Sequence, residues 1–428
     1  MRRPSRRPGW WTVLFAMGVL LGSGCVDKDK QDEQPKATKA EPETPPPPPK
    51  PALKASEDDC VGRLMRSAKP RTISFADRKF RLDGYLLTAL DKDPDNQIVL
   101  GVLSDTKENT EDNRKNLARI MEFFKKEKVE AIIHLGDVAS TVPMPEEIEI
   151  PETDEKGNPL TDIQKERQRR RMINKARRES MAQSLEDIVQ MVSILADSDL
   201  PVLVIIGNRE CKTTFNSAMA TLSEDYPNVF NLNFIRRIDL DDVDILSMPG
   251  YHDPEYVHCA WDKCLYYESD TLSLIDLAKE ATDPAMVVSH GPPRQRDRNG
   301  IDVVSEGANV GNPALADAIR KAGIPLGAFG NIQEAGGKAT DLTGSNIIAQ
   351  DTFVNALYLN PGPADSMTWS MNDGTESRGM AAVVRVVGDK AAYKIYRVDQ
   401  ENAAEAKSSG QEKPQTPDSQ PQEEDQEP

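Results

Sequence analysis

Aromatic side chains and histidine are scarce in this chain of 428 residues, and positive charge is outnumbered by negative. With 53 Lys and Arg against 70 Asp and Glu, the formal net charge is −17, which argues against nucleic acid as a partner. None of the five cysteines falls in a C-x2-C pair, so the set does not resemble a zinc cluster. There is no internal repeat. The longest apolar run near the N-terminus, WWTVLFAMGVLL, has about a dozen residues where a spanning helix needs roughly 20, so it cannot cross a bilayer as a mature helix.

That short run follows the basic stretch MRRPSRRPG and precedes GSGC, the order of a secretory signal. The small residues before Cys25 resemble the lipobox of bacterial lipoproteins, except that Gly22 stands where a Leu is usual. The resemblance implies a signal peptide over 1–24, lipidation of Cys25 and a membrane anchor; ordinary signal cleavage is the alternative. Val26 is not the Asp that retains some lipoproteins at the inner membrane, which favours the outer membrane of the cell envelope. Residues 25–57 are charged and Pro-rich and lack the apolar side chains of a core, so they read as a tether. Residues 401–428, rich in Gln, Glu and Pro, form an acidic tail for the same reason. Export makes disulfides the expected state of Cys60, Cys211, Cys259 and Cys264. The spacing CAWDKC suggests Cys259 with Cys264, leaving Cys60 with Cys211.

Between the tails, over 58–400, short apolar runs alternate with helical patterns. IVLGVL, AIIHL, VLVII, VDILSM, AMVVS and LGAF read as buried strands, and AAVVRVVGDKAAYKIYRV as an antiparallel hairpin. An α/β fold with a mixed sheet follows. Residues 138–200 are an insertion whose long helical pattern is basic in its first half, as either an anion-binding face or a solvated surface.

Polar residues cluster just after the strands, where open α/β sheets place their sites. In order they are SDTK, HLGDV, IIGNRE, VVSHGPP and AFGNIQ. This series, with LYLNPG near residue 360, resembles the calcineurin-like metallophosphoesterases, whose motifs run D-x-H, G-D, G-N-H-[DE], H and G-H-x-H. The resemblance implies a four-layer αββα sandwich of two mixed β-sheets flanked by helices. It also implies two divalent metals joined by the Asp of G-D, with a metal-bound hydroxide as nucleophile.

Carried over by position, one metal would use Asp105, Lys107, Asp137 and Gln333, and the other Asp137, Asn208, His290 and Asn331. Lys107, Arg209, Asn331 and Gln333 all stand where the family has His. Deprotonating Lys107 at neutral pH costs about 4–5 kcal/mol from its reference pKa, so it is expected to act as a built-in cation toward Asp105 and Asp137. Asp137, Asn208, His290 and Asn331 could hold one weakly bound Mn, Mg or Ca ion; a dinuclear centre is not expected. Arg209 cannot donate a proton but grips phosphate bidentately, so Arg209, Asn208 and Lys107 form the expected anion-binding set.

Three further groups are weighed against bland readings. His252 and Asp253 are substitute ligands or a constrained loop. Arg294, Arg296 and Arg298 are a positive lining or a solvated loop. His134 is a core histidine. The expected protein is a non-catalytic, lipid-anchored binder of an anionic ligand or protein partner; the alternative is an active hydrolase with an altered, mononuclear site.

Overall fold

The polar strand ends converge because their strands lie side by side within two sheets packed face to face. A computed structural model describes residues 59–398 except 146, 154 and 155. The leader, Cys25, the tether and the acidic tail lie outside the described residues. A meander of β1 (Arg71–Phe75), β2 (Arg78–Asp83) and β3 (Leu86–Ala89) comes first. Strand and helix then alternate: β4 (Gln97–Leu103), α1 (Glu111–Lys126), β5 (Ala131–His134), α2 (Asp162–Ala196), β6 (Val202–Val204), α3 (Lys212–Asp225) and β7 (Val229–Asn231). β8 (Arg237–Asp239) and β9 (Asp244–Met248) are antiparallel. They are followed by α4 (Glu268–Thr271), α5 (Ser273–Glu280), β10 (Ala285–Ser289), α6 (Pro313–Ala322) and β11 (Leu326–Phe329). β12 (Lys338–Thr340), β13 (Ile347–Ile348), β14 (Leu357–Asn360), β15 (Trp369–Ser370) and β16 (Glu376–Ser377) are short. The chain closes with the expected hairpin, β17 (Met380–Val387) and β18 (Lys390–Arg397).

One sheet runs β18–β17–β4–β5–β6–β7, parallel from β4 to β7. The other runs β1–β2–β3–β8–β9–β10–β11–β14–β12–β13. Successive side chains on a strand point to opposite faces, and β4 shows the consequence. Leu100 and Val102 enter a core shared with Ile245, Val288, Ala328 and Leu359 of the second sheet. Leu103 faces the helices instead, beside Leu117, Phe124, Ile188 and Phe215. Leu274, Leu277, Leu315 and Ile319 cover the outer face of the second sheet. Two sheets packed face to face between helical layers make the αββα sandwich.

Helix ends follow local chemistry. Thr110 caps α1 by accepting from Asn113 N, with acids in the first turn and Lys125 and Lys126 in the last. Thr161 and Gln164 form a capping box at α2.

The disulfides are Cys60–Cys264 and Cys211–Cys259, which corrects the pairing expected from spacing. The turn between Cys259 and Cys264 is held from two different sides. Cys60 N donates to Leu265 O and Tyr251 N to Cys264 O, laying Cys60 beside Cys264. His258 N donates to Asn208 O and Lys212 N to Asp262 O, carrying Cys259 to Cys211 at the start of α3. Hydrogen bonds far apart in sequence decide the partners.

Candidate anion and metal site

Asp105, Lys107, Asp137 and Asn331 follow β4, β5 and β11, and their φ angles are +58°, +62°, +55° and +64°. The left-handed region is unfavourable for residues with a Cβ, and strain of this kind clusters where a site over-determines the backbone. Four of the nine described non-glycine residues with positive φ meet in this crevice. Backbone bonds from Asp105 N to Gly136 O and from Lys107 N to Asp137 O hold two of them. Gly136, at φ +96°, and Gly207 let the G-D and G-N turns touch: a Cβ on Gly136 would lie 2.6 Å from Gly207 N.

Asp105 is saturated by donors. Its Oδ2 accepts from Ser104 Oγ at 2.6 Å and Asn331 N at 3.0 Å, and its Oδ1 accepts from Gln333 Nε2 at 2.6 Å. Burial works to raise its pKa, but His290, Lys107 and the bonds from Ser104 and Asn331 outweigh it and hold the carboxyl below its usual range. The Lys107 ammonium is 3.5 Å from Asp365 Oδ2 and 3.9 Å from the centre of the Trp369 ring. Lys107 thus acts on Asp105 at a distance and pairs with Asp365, a residue absent from the expected set. Only 4% exposed, it is enclosed beside Asp365 and Trp369.

Asp137 takes the other cation. Arg209 N donates to its Oδ1 at 2.9 Å and Arg209 Nε lies 3.4 Å from its Oδ2. Burial nevertheless raises the Asp137 pKa, against the pull of His290 and Arg209. The Arg209 side chain keeps 35% exposure while its Nε faces Asp137. Asn208 donates Nδ2 to Tyr256 O, which turns its Oδ1 to His290 Nε2 at 3.0 Å. His290 Nδ1 lies 2.8 Å from Leu135 O, and Nε2 is also 3.4 Å from Asp137 Oδ1. Nδ1–H donates to Leu135 O, and Nε2 points at two acceptor oxygens, Asn208 Oδ1 and Asp137 Oδ1, where a bound ion would take the place of a proton.

The two family metal positions differ in fit. Ligand atoms of Asp105, Asp137 and His290 lie within 4.8 Å of one another and all three residues are buried. At the second position, His290 Nε2 lies 3.0 Å from Asn208 Oδ1 and 3.4 Å from Asp137 Oδ1, a set of one nitrogen and two oxygens that suits one divalent ion. A bound ion would supply Lewis acidity there. The first position does not fit: Asp105 is consumed by donors, Gln333 offers its amide N–H, and Lys107 brings a positive charge. Asn331 gives Nδ2 to Tyr251 Oη at 2.8 Å.

Other expectations sort plainly. His134 is buried, with a pKa driven down to about 3 by desolvation, and it bonds Thr106 Oγ1 and Gly136 N as a core histidine. His252 packs at a tilt against the rings of Tyr251 and Tyr266, outside the ligand cluster, and Asp253 caps its own turn through Glu255 N. Arg294, Arg296 and Arg298 are exposed, while buried Gln295 pins their loop. Sequence reasoning missed Asp365, Trp369 and Tyr251, and also His258, whose backbone N bonds Asn208 O. Burial, Arg209 and Lys107 lower the His258 pKa.

Glu210 is the hidden organiser. Its Oε1 accepts from Val138 N at 2.5 Å and its Oε2 from Gly207 N at 2.9 Å, tying the two turns together. Burial, then Asp137, push its pKa well above the usual glutamate range. A raised folded-state pKa contributes stability that is complete at low pH and lost as pH rises through the raised value. Urea midpoints of wild type are therefore expected to fall relative to Glu210→Gln between pH 5 and 8. Parallel pH profiles would refute this.

The αββα sandwich with its strand-end crevice is consistent with the metallophosphoesterase fold. Residues 98–321 match the calcineurin-like phosphoesterase family, and the chain belongs to that family. No curated protein matches it significantly. Similar solved structures include a dimetal phosphatase from Danio rerio, at 10% identity and TM-score 0.39 over 70% of this chain and 96% of that one. Another is GAP50, the anchor in the inner membrane complex of Plasmodium, at 15% identity and TM-score 0.38 over 70% and 84%. A third is TT1561 of Thermus thermophilus, at 11% identity and TM-score 0.38 over 62% and 89%.

Proposed function

We propose that this chain is a lipid-anchored envelope member of the family that has given up dinuclear phosphoester hydrolysis and binds an anionic, phosphorylated ligand through Arg209. The observation that carries the reading is the fate of Asp105. Its oxygens are spent on Ser104, Asn331 and Gln333, beside a lysine whose charge opposes an incoming metal. Arg209 contributes a partly exposed guanidinium anchored by Asp137, and a guanidinium fork matches phosphate bidentately. Asn208 is positioned by Tyr256 and His290 beside it.

A mononuclear hydrolase is the second reading, favoured by the convergence of Asp137, Asn208 and His290. Turnover separates the two, because one equivalent of metal fits both and only the mononuclear hydrolase would cleave an aryl phosphate. Protein purified without chelator is expected to carry at most one equivalent of Mn, Mg, Ca, Fe or Zn by mass spectrometry and to leave p-nitrophenyl phosphate intact. Two equivalents with turnover would overturn the proposal. Arg209→Met is expected to weaken inorganic phosphate binding about 10- to 100-fold, equivalent to the ~1.5–3 kcal/mol of a charged hydrogen bond. Unchanged affinity would remove Arg209 from the site.

A further inference from the structure

The first half of α2 is a basic face without a described partner. Residues 162–179 hold eight Lys and Arg and three Asp and Glu, in a chain whose net charge is −17. None of these 18 positions is buried, whereas Ser180, Ser184 and Ile188 are. Lys165 pairs with Glu152, Arg170 with Glu166 and Lys175 with Glu179, and Arg177 lies over Trp261. Arg167, Arg171 and Arg178 have no partner among the described residues. At spacings of four and seven they share one helix face. Arg167 and Arg171 also line a 680 Å³ groove with Leu160, Gln164 and Met172.

We infer that the occupant of this face is the chain's own acidic tail, residues 401–428. Charge is the first reason: the tail has eight Asp and Glu against two Lys, with four acids between residues 423 and 427. The point of exit is the second. β18 ends beside the start of β17, and Val398 N bonds Gly379 O, whose own N bonds Asp365 O in the crevice. The tail therefore leaves from the site end of its sheet. Asp187 and Gln190 of α2 bond Asn109, two residues past Lys107, so that level of the helix is at the same end. At about 1.5 Å per residue, positions 178 to 162 project roughly 14–38 Å beyond it. Length is the third reason: 28 residues reach up to ~90 Å when extended. Tethering raises the tail's effective concentration to roughly millimolar, so a weak electrostatic contact suffices to hold it. The docking is independent of what the crevice binds.

The test uses the full chain and a chain ending at residue 400, which keeps every described element. Labelled peptide 401–428 is expected to bind the shortened chain, at least tenfold more weakly at 0.5 M than at 0.05 M salt. Binding is expected to drop at least tenfold in the Arg167→Glu/Arg171→Glu/Arg178→Glu variant, whose helix content is checked by circular dichroism. The full chain is expected to bind the peptide poorly because its own tail competes. Equal peptide binding by full and shortened chains, or by the charge-reversed variant, would overturn the inference. So would anionic phosphatidylglycerol vesicles that bind the full chain as tightly as the shortened one, since the face would then be open to lipid.

Discussion

Replacing Lys107, Asn331 and Gln333 together by histidine is expected to turn a chain that holds at most one divalent ion into one that holds two. Each change removes a specific obstacle. Gln333 donates its amide to Asp105 Oδ1 at 2.6 Å, and an imidazole there would present a lone pair while freeing that oxygen. Asn331 spends its amide nitrogen on Tyr251. Lys107 brings a positive charge close enough to act on Asp105, and an ion bound there would compete with it for the same buried carboxylate. Mass spectrometry of the triple variant should show about two equivalents of Mn or Zn. Aryl phosphate turnover should stay low while Arg209 remains, since a guanidinium gives up no proton. Adding Arg209→His should raise the rate about 10²–10⁴-fold, the usual worth of general-acid help. If the triple variant still holds one ion or none, the frame itself has closed, and the bonds from Ser104 and Asn331 N to Asp105 would be the reason.

The layout of this site was legible in the sequence because it is written in the period of the strands. Val202–Val204 is apolar throughout and Ala131–His134 is apolar up to its last residue, as strands buried on both faces tend to be, and the turns after them carry the polar residues in chain order. The strands β1 to β3 escape a sequence reading, since RTISF and RKFRLD mix charge with apolar residues on a half-exposed surface and LLTA is only four residues long. Asp365 was hidden for another reason. It lies in a loop past Asn-Pro-Gly, with no periodicity around it, and only folding brings it to Lys107. The direction of Arg209 was equally non-local: its neighbour Glu210 is drawn inward by Val138 N and Gly207 N, leaving Asp137 as the acid the guanidinium meets. Ligand positions follow strand order, whereas charge partners follow packing.

That distinction sets up the largest expected effect on stability. Lys107→Met should destabilise the fold by about 3–5 kcal/mol at pH 8, because removing one member of a buried pair leaves the other charge uncompensated. Asp365 is 1% exposed, and its Oδ1 accepts from Trp369 Nε1 at 2.9 Å while its Oδ2 faces only the ammonium. Burial already raises the Asp365 pKa, with Lys107 as the largest opposing influence, so the variant should raise it further. For a carboxyl whose folded pKa is raised, stability is retained at low pH and lost as pH rises through that value. Urea denaturation should accordingly show a small deficit near pH 4 that widens toward pH 8. Adding Asp365→Asn removes the stranded charge while keeping an acceptor for Trp369, and should recover most of the loss. A single variant as stable as wild type at pH 8 would mean that the ammonium is not what neutralises Asp365. Lys107 would then be an incidental replacement for a lost ligand rather than the cation that holds this loop against the site.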